Sequence, residues 1–250
     1  MKHNEEQQLG MNKSGTMMAP IESAKTEKGA AQYTQPTAGS SDAIGENRLF
    51  YMKDADVQVT LPISPSLKGM AKGMMDKLKS GNYGFVDKLG DRIAFERTGT
   101  RLYEALLVKY EGTEDKDNLP PLELLKQFHR EEREHFIMLC EVMKQIGGDP
   151  TAVTPCANID AVASQGWIQV MTDPRTSFEQ CLHIIHLAEL ADTDSWEILV
   201  EMAEANGMKE FSNEFRNALA QEENHLLNVR NWMKSFAQAG MVNNSLDRSH

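Results

Sequence analysis

Glu132-x-x-His135 and Glu222-x-x-His225 each place a carboxylate and an imidazole one helical turn apart, on the same face of a helix. Each pair follows a further glutamate on an earlier amphipathic stretch, Glu96 before the first and Glu189 before the second. Four carboxylates and two imidazoles in this order can hold two metal ions inside a bundle of four helices. Carboxylate and imidazole ligands suit iron, manganese or zinc, and no thiolate is placed to change that preference. We expect two iron ions, with two manganese ions as the alternative.

The two halves of the motif read as a repeat. Alignment of Glu96 with Glu189 brings Thr100 to Thr193, Tyr103 to Trp196, Glu104 to Glu197 and Leu106 to Leu199. Alignment of Glu132 with Glu222 brings His135 to His225 and Met143-Lys144 to Met233-Lys234. Either Glu-x-x-His pair alone is weak evidence in a glutamate-rich chain. A duplicated hairpin that repeats both the pair and its partner glutamate is stronger.

Four long helices must position these residues. Helix A is expected from about residue 84 to 110, with Phe85, Leu89, Ile93, Leu102 and Leu106 on its apolar face. Helix B starts after Pro120-Pro121 and stops at Gly147-Gly148. Helix C starts near Ser177 and ends at Asn206-Gly207, and helix D runs from about 209 to 239. The B–C connection, residues 149–176, is too long for a tight hairpin and long enough to cross the bundle. The expected fold is therefore all-α, two helical hairpins joined by a long crossover, in residues 84–240. The six candidate ligands then lie near mid-height, where unpaired carboxylates are costly.

Outside the bundle, residues 1–47 are polar and nearly without aromatics, and we expect a disordered tail. Residues 48–83 read as an extended strap followed by a short amphipathic helix carrying Leu67, Met70, Met74 and Leu78. Residues 241–250 are expected to be flexible.

Composition narrows the class of function. The chain has 250 residues and a formal net charge of −11, which argues against nucleic acid as a partner. No apolar run approaches the length of a membrane span, and no secretory signal is visible, so the expected address is the cytoplasm. Cys140, Cys156 and Cys181 form no Cys-x-x-Cys pair and suggest neither a disulfide framework nor a thiolate metal site.

At these motifs the chain resembles the ferritin-like superfamily, the carboxylate-bridged di-iron and di-manganese bundles that include bacterioferritins, rubrerythrins, manganese catalases and di-iron oxidases. Residues 84–239 carry the resemblance. Asp91-Arg-Ile-Ala-Phe-Glu-Arg-Thr-Gly-Thr-Arg-Leu-Tyr, Val170-Met-Thr-Asp-Pro-Arg-Thr and Ala188-Glu-Leu-Ala-Asp look like a bacterial group within it. The resemblance implies that Glu96 and Glu189 are terminal ligands, that Glu132 and Glu222 bridge the ions, and that His135 and His225 each bind one. The absence of paired Cys-x-x-Cys motifs departs from rubrerythrins. The long tail and crossover depart from cage-forming ferritins and leave a homodimer open.

Further residues could serve such a site. Tyr103 and Trp196 are core residues that could also take part in redox chemistry. Glu131 and Gln221 could orient the histidines. His186, Asp192 and Thr193 lie one turn from Glu189, and Cys140 reads as core filler. The expected function is non-haem dimetal redox chemistry with dioxygen or peroxide as co-substrate. Ferrous-iron oxidation with storage, and a non-catalytic helical interaction module, are the alternatives.

Overall fold

The structure is a computed structural model, and it describes residues 20–33, 41–54 and 83–246. Among these residues every regular element is a helix. The chain divides into two compact units, residues 1–56 and 57–250.

The first unit contains α1 (Pro20–Tyr33) and α2 (Ser41–Asp54). They lie within segments that the sequence reading made a disordered tail, residues 1–47, and an extended strap from 48; residues 1–19 and 34–40 of that tail lie outside the described residues. The run Ala24-Lys-Thr-Glu-Lys in α1 is rich in straight-chain helix formers, so local propensity supports a turn or more of helix without a buried face. Ile21, Phe50 and Met52 are exposed. The rest of the expected strap and its Met-rich helix lie outside the described residues.

The second unit is built on α3 (Tyr83–Gly112), α4 (Leu122–Gln145), α7 (Phe178–Ala205) and α8 (Lys209–Leu246). These four match expected helices A to D, except that α8 passes Gly240 and continues into the segment expected to be flexible. Its last residues, 247–250, lie outside the described part. The start of α7 is fixed by a capping box: Ser177 accepts from the Gln180 amide, and the Gln180 side chain accepts from the Ser177 amide.

α3 packs against α4 and α7 packs against α8, forming two hairpins; α3 also packs on α7, and α4 touches α8. The core falls into two apolar clusters. One joins Phe85, Leu89, Leu139, Met143, Trp196, Leu199 and Phe215. The other joins Leu102, Leu106, Leu125, Phe128, Leu182, Ile185 and Val229. Their membership gives the helix directions. α3 and α8 run from the first cluster to the second, and α4 and α7 run from the second to the first. α4 and α7 are therefore parallel, which is why a hairpin turn cannot connect them.

The connection carries two short helices, α5 (Pro155–Ala163) and α6 (Gln165–Thr172), both seated on α3. Thr154 caps α5 and donates its hydroxyl to the Asp87 carbonyl at 3.1 Å. The Cys156 amide donates to the Asp87 carboxylate at 2.9 Å. Trp167 meets the Phe95 ring edge-on at 5.9 Å. Lys109 donates to the carbonyls of Asp173 and Thr176, tying the end of the crossover to α3.

Gly90 is what lets α5 approach α3 so closely, because a Cβ there would stand 2.3 Å from Thr154 Cγ2. Gly90→Ala is expected to push the Thr154 turn off α3 at a cost of about 1–3 kcal/mol. The thermal midpoint should fall by roughly 2–10 °C for a domain of this size. An unchanged midpoint would mean that the crossover is not seated where the structure places it.

Candidate metal centre

Between the two apolar clusters lies a layer of buried polar side chains. Glu96 and Arg92 come from α3, Glu132 and His135 from α4, Glu189 and Asp192 from α7, Glu222 and His225 from α8. All six sequence-predicted ligands converge here, and none is more than 3% exposed. Three sets of ligand atoms lie within 4.8 Å of one another: Glu132, Glu189, Glu222 and His225; Glu96, His135 and Glu222; and Glu96, Glu132, Asp192 and Glu222. Each set could hold a metal ion.

Glu222 belongs to every set because it stands between the two imidazoles. Its Oε1 is 2.7 Å from His135 Nδ1 and its Oε2 is 3.2 Å from His225 Nδ1. Glu96 approaches His135 Nδ1 at 3.6 Å, while Glu132 and Glu189 approach His225 Nδ1 at 3.5 and 3.8 Å. Each hairpin thus brings its own outlying glutamate to its own histidine. Glu132 leans toward the His225 side.

The outer nitrogens of the two rings decide what the inner ones can do. His225 Nε2 lies 2.7 Å from Glu131 Oε2, an acceptor only, so Nε2 carries the hydrogen. His135 Nε2 lies 2.8 Å from Gln221 Oε1, and the Gln221 amide nitrogen is committed to Glu131 Oε1 at 3.2 Å. His135 Nε2 therefore donates as well. Both Nδ1 atoms are left facing carboxylates. The partners are exchanged between hairpins: the residue before Glu132 orients the histidine after Glu222, and the reverse.

The inner atoms are otherwise orphaned. Glu96 Oε2, Glu132 Oε2, Glu189 Oε2, both Glu222 oxygens and both Nδ1 atoms have no hydrogen-bond partner among the described residues. A buried group of acceptors with no donors is costly unless cations or protons enter it. The residues present therefore fit a bound metal.

Two residues essential to the layer were not singled out from sequence. The buried Arg92 guanidinium donates to Glu96 and to Asp192, and lies over the Phe95 ring at 4.6 Å and the Trp196 ring at 5.4 Å. Its one signal was a charge in the apolar stripe of helix A, four residues before Glu96. Gly99 leaves the space that the Glu132 carboxylate fills, since a Cβ there would stand 1.9 Å from Glu132 Oε2. No local pattern announces that approach.

The remaining candidates divide. Tyr103 donates its hydroxyl to Glu189 Oε1, and its ring is 6.1 Å from His225. Trp196 is buried with its ring 5.4 Å from His135. Both aromatics thus border the layer at equivalent places. Asp192 joins it through Arg92. Thr193 does not, because its hydroxyl donates to the Glu189 carbonyl at 2.9 Å, as Thr100 does to that of Glu96. His186 belongs to none of the three ligand sets. Cys140 packs against the first apolar cluster.

No protein-family model matches this chain, and neither a curated protein nor a solved structure matches it. No helix among the described residues is long and apolar enough to cross a membrane.

Without metal ions, protons supply the missing positive charge. Burial, and then the charge of Glu222, push the Glu132 carboxyl up to about 8. Burial also raises Glu189 and Asp192 well above the carboxylate range. Burial disfavours an imidazolium at His135, but a proton added at Nδ1 would face the Glu222 and Glu96 carboxylates, which outweigh burial and raise that ring to about 11. A folded state that retains protons which the unfolded chain releases loses stability as pH rises. For Glu132 that window runs from 4.5 to about 8, and for His135 from 6.5 to about 11. The chelated protein is expected to lose on the order of a few kcal/mol between about pH 5 and pH 8. Saturating divalent cation should reverse the slope, because cations displace protons more easily at higher pH. Thermal melts at several pH values check both; a chelated protein that gains stability across this range contradicts the protonation account.

Proposed function

We propose that this chain is a ferritin-like four-helix protein holding two divalent metal ions, with iron favoured over manganese, and that it performs redox chemistry with dioxygen or peroxide. The observation that carries the reading is the convergence of orphaned acceptors: four glutamates and two Nδ1 atoms, from a duplicated hairpin, in one dry layer. Charge supports the number of ions. Five buried carboxylates against one guanidinium leave four negative charges, the charge that two divalent cations offset.

Bound ions of this kind supply two one-electron oxidations, which together reduce peroxide to two waters with uptake of two protons. The chain's own residues supply position and exclusion. Glu131 and Gln221 fix the rings, and the apolar clusters on either side keep bulk water out. The Tyr103 hydroxyl donates its hydrogen to Glu189. Beside the layer, Phe95, Gly99, Leu102, Tyr103, Ile185 and Ala188 border a packing gap, along with Glu132, Glu189 and Asp192. It is too tight for a water molecule as it stands.

Protein from its own host should carry about two iron or manganese ions per chain by elemental analysis. Reduced under anaerobic conditions, it should then consume dioxygen or peroxide. Glu132→Ala and His225→Ala should abolish metal binding and turnover while far-ultraviolet circular dichroism stays helical. Gln221→Ala, which removes the group orienting His135 and a hydrogen bond to Glu131, should lower cation affinity about 10–100-fold. Neither metal nor turnover after ferrous loading would sink the reading. A large hollow assembly holding many irons per chain would move it to storage.

A further inference from the structure

The duplicated layer is not symmetric, and the difference centres on one buried ion pair. Arg92 stands four residues before Glu96, where the second hairpin has Ile185 before Glu189. Asp192 stands three residues after Glu189, where the first hairpin has Gly99. Arg92 and Asp192 meet across the α3–α7 interface, and the same guanidinium also holds Glu96. Glu189, the counterpart of Glu96, takes only a neutral hydroxyl, from Tyr103.

The two imidazole-containing ligand sets therefore meet different competitors. Glu132, Glu189, Glu222 and His225 offer three carboxylates and an imidazole, and no lysine or arginine forms an ion pair with them among the described residues. Glu96, His135 and Glu222 offer two carboxylates. One of those is shared with the other set, and the other already holds a guanidinium. A charge-assisted bond of this kind is among the stronger ones a carboxylate makes, and it must be weakened or redirected before Glu96 can ligate fully.

We propose that the layer fills in order: a divalent cation enters first among Glu132, Glu189, Glu222 and His225, and the Glu96–His135 position fills second and more weakly because Arg92 competes for Glu96. The proposal rests on the dimetal reading above and adds a sequence of loading to it. Arg92 is a positioning residue here, and Asp192 sets how strongly it competes. With both present, the guanidinium is shared between two carboxylates. Loss of the Asp192 charge turns it onto Glu96 alone. Loss of both charges frees Glu96. The first position changes less in either case, because none of its ligands bonds Arg92. A tight position beside a weak one would let the second ion come and go while the first stays.

Titration of Mn(II) into chelated full-length protein, followed by electron paramagnetic resonance, tests this. At one equivalent the spectrum should be that of isolated bound Mn(II), and only at higher ratios should it give way to that of a magnetically coupled pair. The two steps should differ by at least about tenfold in affinity. Asp192→Asn should weaken the second step about tenfold further and change the first by less. The double variant Arg92→Gln/Asp192→Asn replaces the ion pair with two amides, and should bring the second step toward the first. If Asp192→Asn does not fold, the native protein and the double variant decide. A coupled-pair spectrum from the first additions, or a double variant whose second step has not moved, overturns ordered filling while leaving the dimetal reading intact. No Mn(II) binding at all overturns both.

Discussion

Four glutamates and two imidazole nitrogens that all accept, and none that donates, cannot share a dry layer without positive charge from elsewhere. The rest of the second unit is arranged around that constraint. Apolar clusters on either side remove the water that would otherwise solvate the carboxylates. Glu131 and Gln221 take the hydrogens of the outer ring nitrogens, so the inner nitrogens face Glu222 and its neighbours. Arg92 supplies one fixed positive charge, and Asp192 cancels it. The layer as a whole stays acidic, short of charge by about the amount two divalent ions carry.

Duplication explains why such a layer can be assembled at all. Each hairpin contributes one outlying glutamate and one Glu-x-x-His pair, so packing two copies face to face doubles the ligand set without new invention. The orienting partners are exchanged: Glu131 of α4 serves His225 of α8, and Gln221 of α8 serves His135 of α4. Neither hairpin completes its own histidine. The geometry of the layer therefore exists only when both hairpins are docked, and the crossover riding on α3 brings the second hairpin to the first with α4 and α7 parallel.

Much of this was legible in the sequence because it is local. A carboxylate and an imidazole at i and i+3, repeated with a preceding glutamate, leave a mark that helical periodicity makes readable. Ser177 with Gln180, and Gly147-Gly148, mark helix ends through backbone chemistry of the same short range. What escaped is tertiary. Arg92 reads like one of many surface charges until α7 is laid across it. Gly99 reads like a weak point in a helix until the Glu132 carboxylate from α4 is found in the space of its missing side chain. The helices at residues 20–33 and 41–54 escaped for the opposite reason. Their sequences lack an apolar stripe, so a pattern that looks for buried faces passes over them.

The two flanks of the layer differ in how far they can move. On the α4–α8 side, the Gln127, Glu131 and Gln221 side chains form a continuous hydrogen-bonded chain that pins both rings. On the α3–α7 side, the small residues Gly99 and Ala188 border the packing gap beside the layer. Glu132 and Glu189 both border it, and Glu189 is restrained there by one tyrosine hydroxyl. On the proposed dimetal reading, a carboxylate that shifts as ions enter would do so here, where its hydrogen bond is to a neutral hydroxyl. That is the side on which Arg92 and Asp192 also sit. Hydrogen bonding on one flank keeps the six acceptors together, and on the proposed dimetal reading the less restrained flank is where a carboxylate would shift.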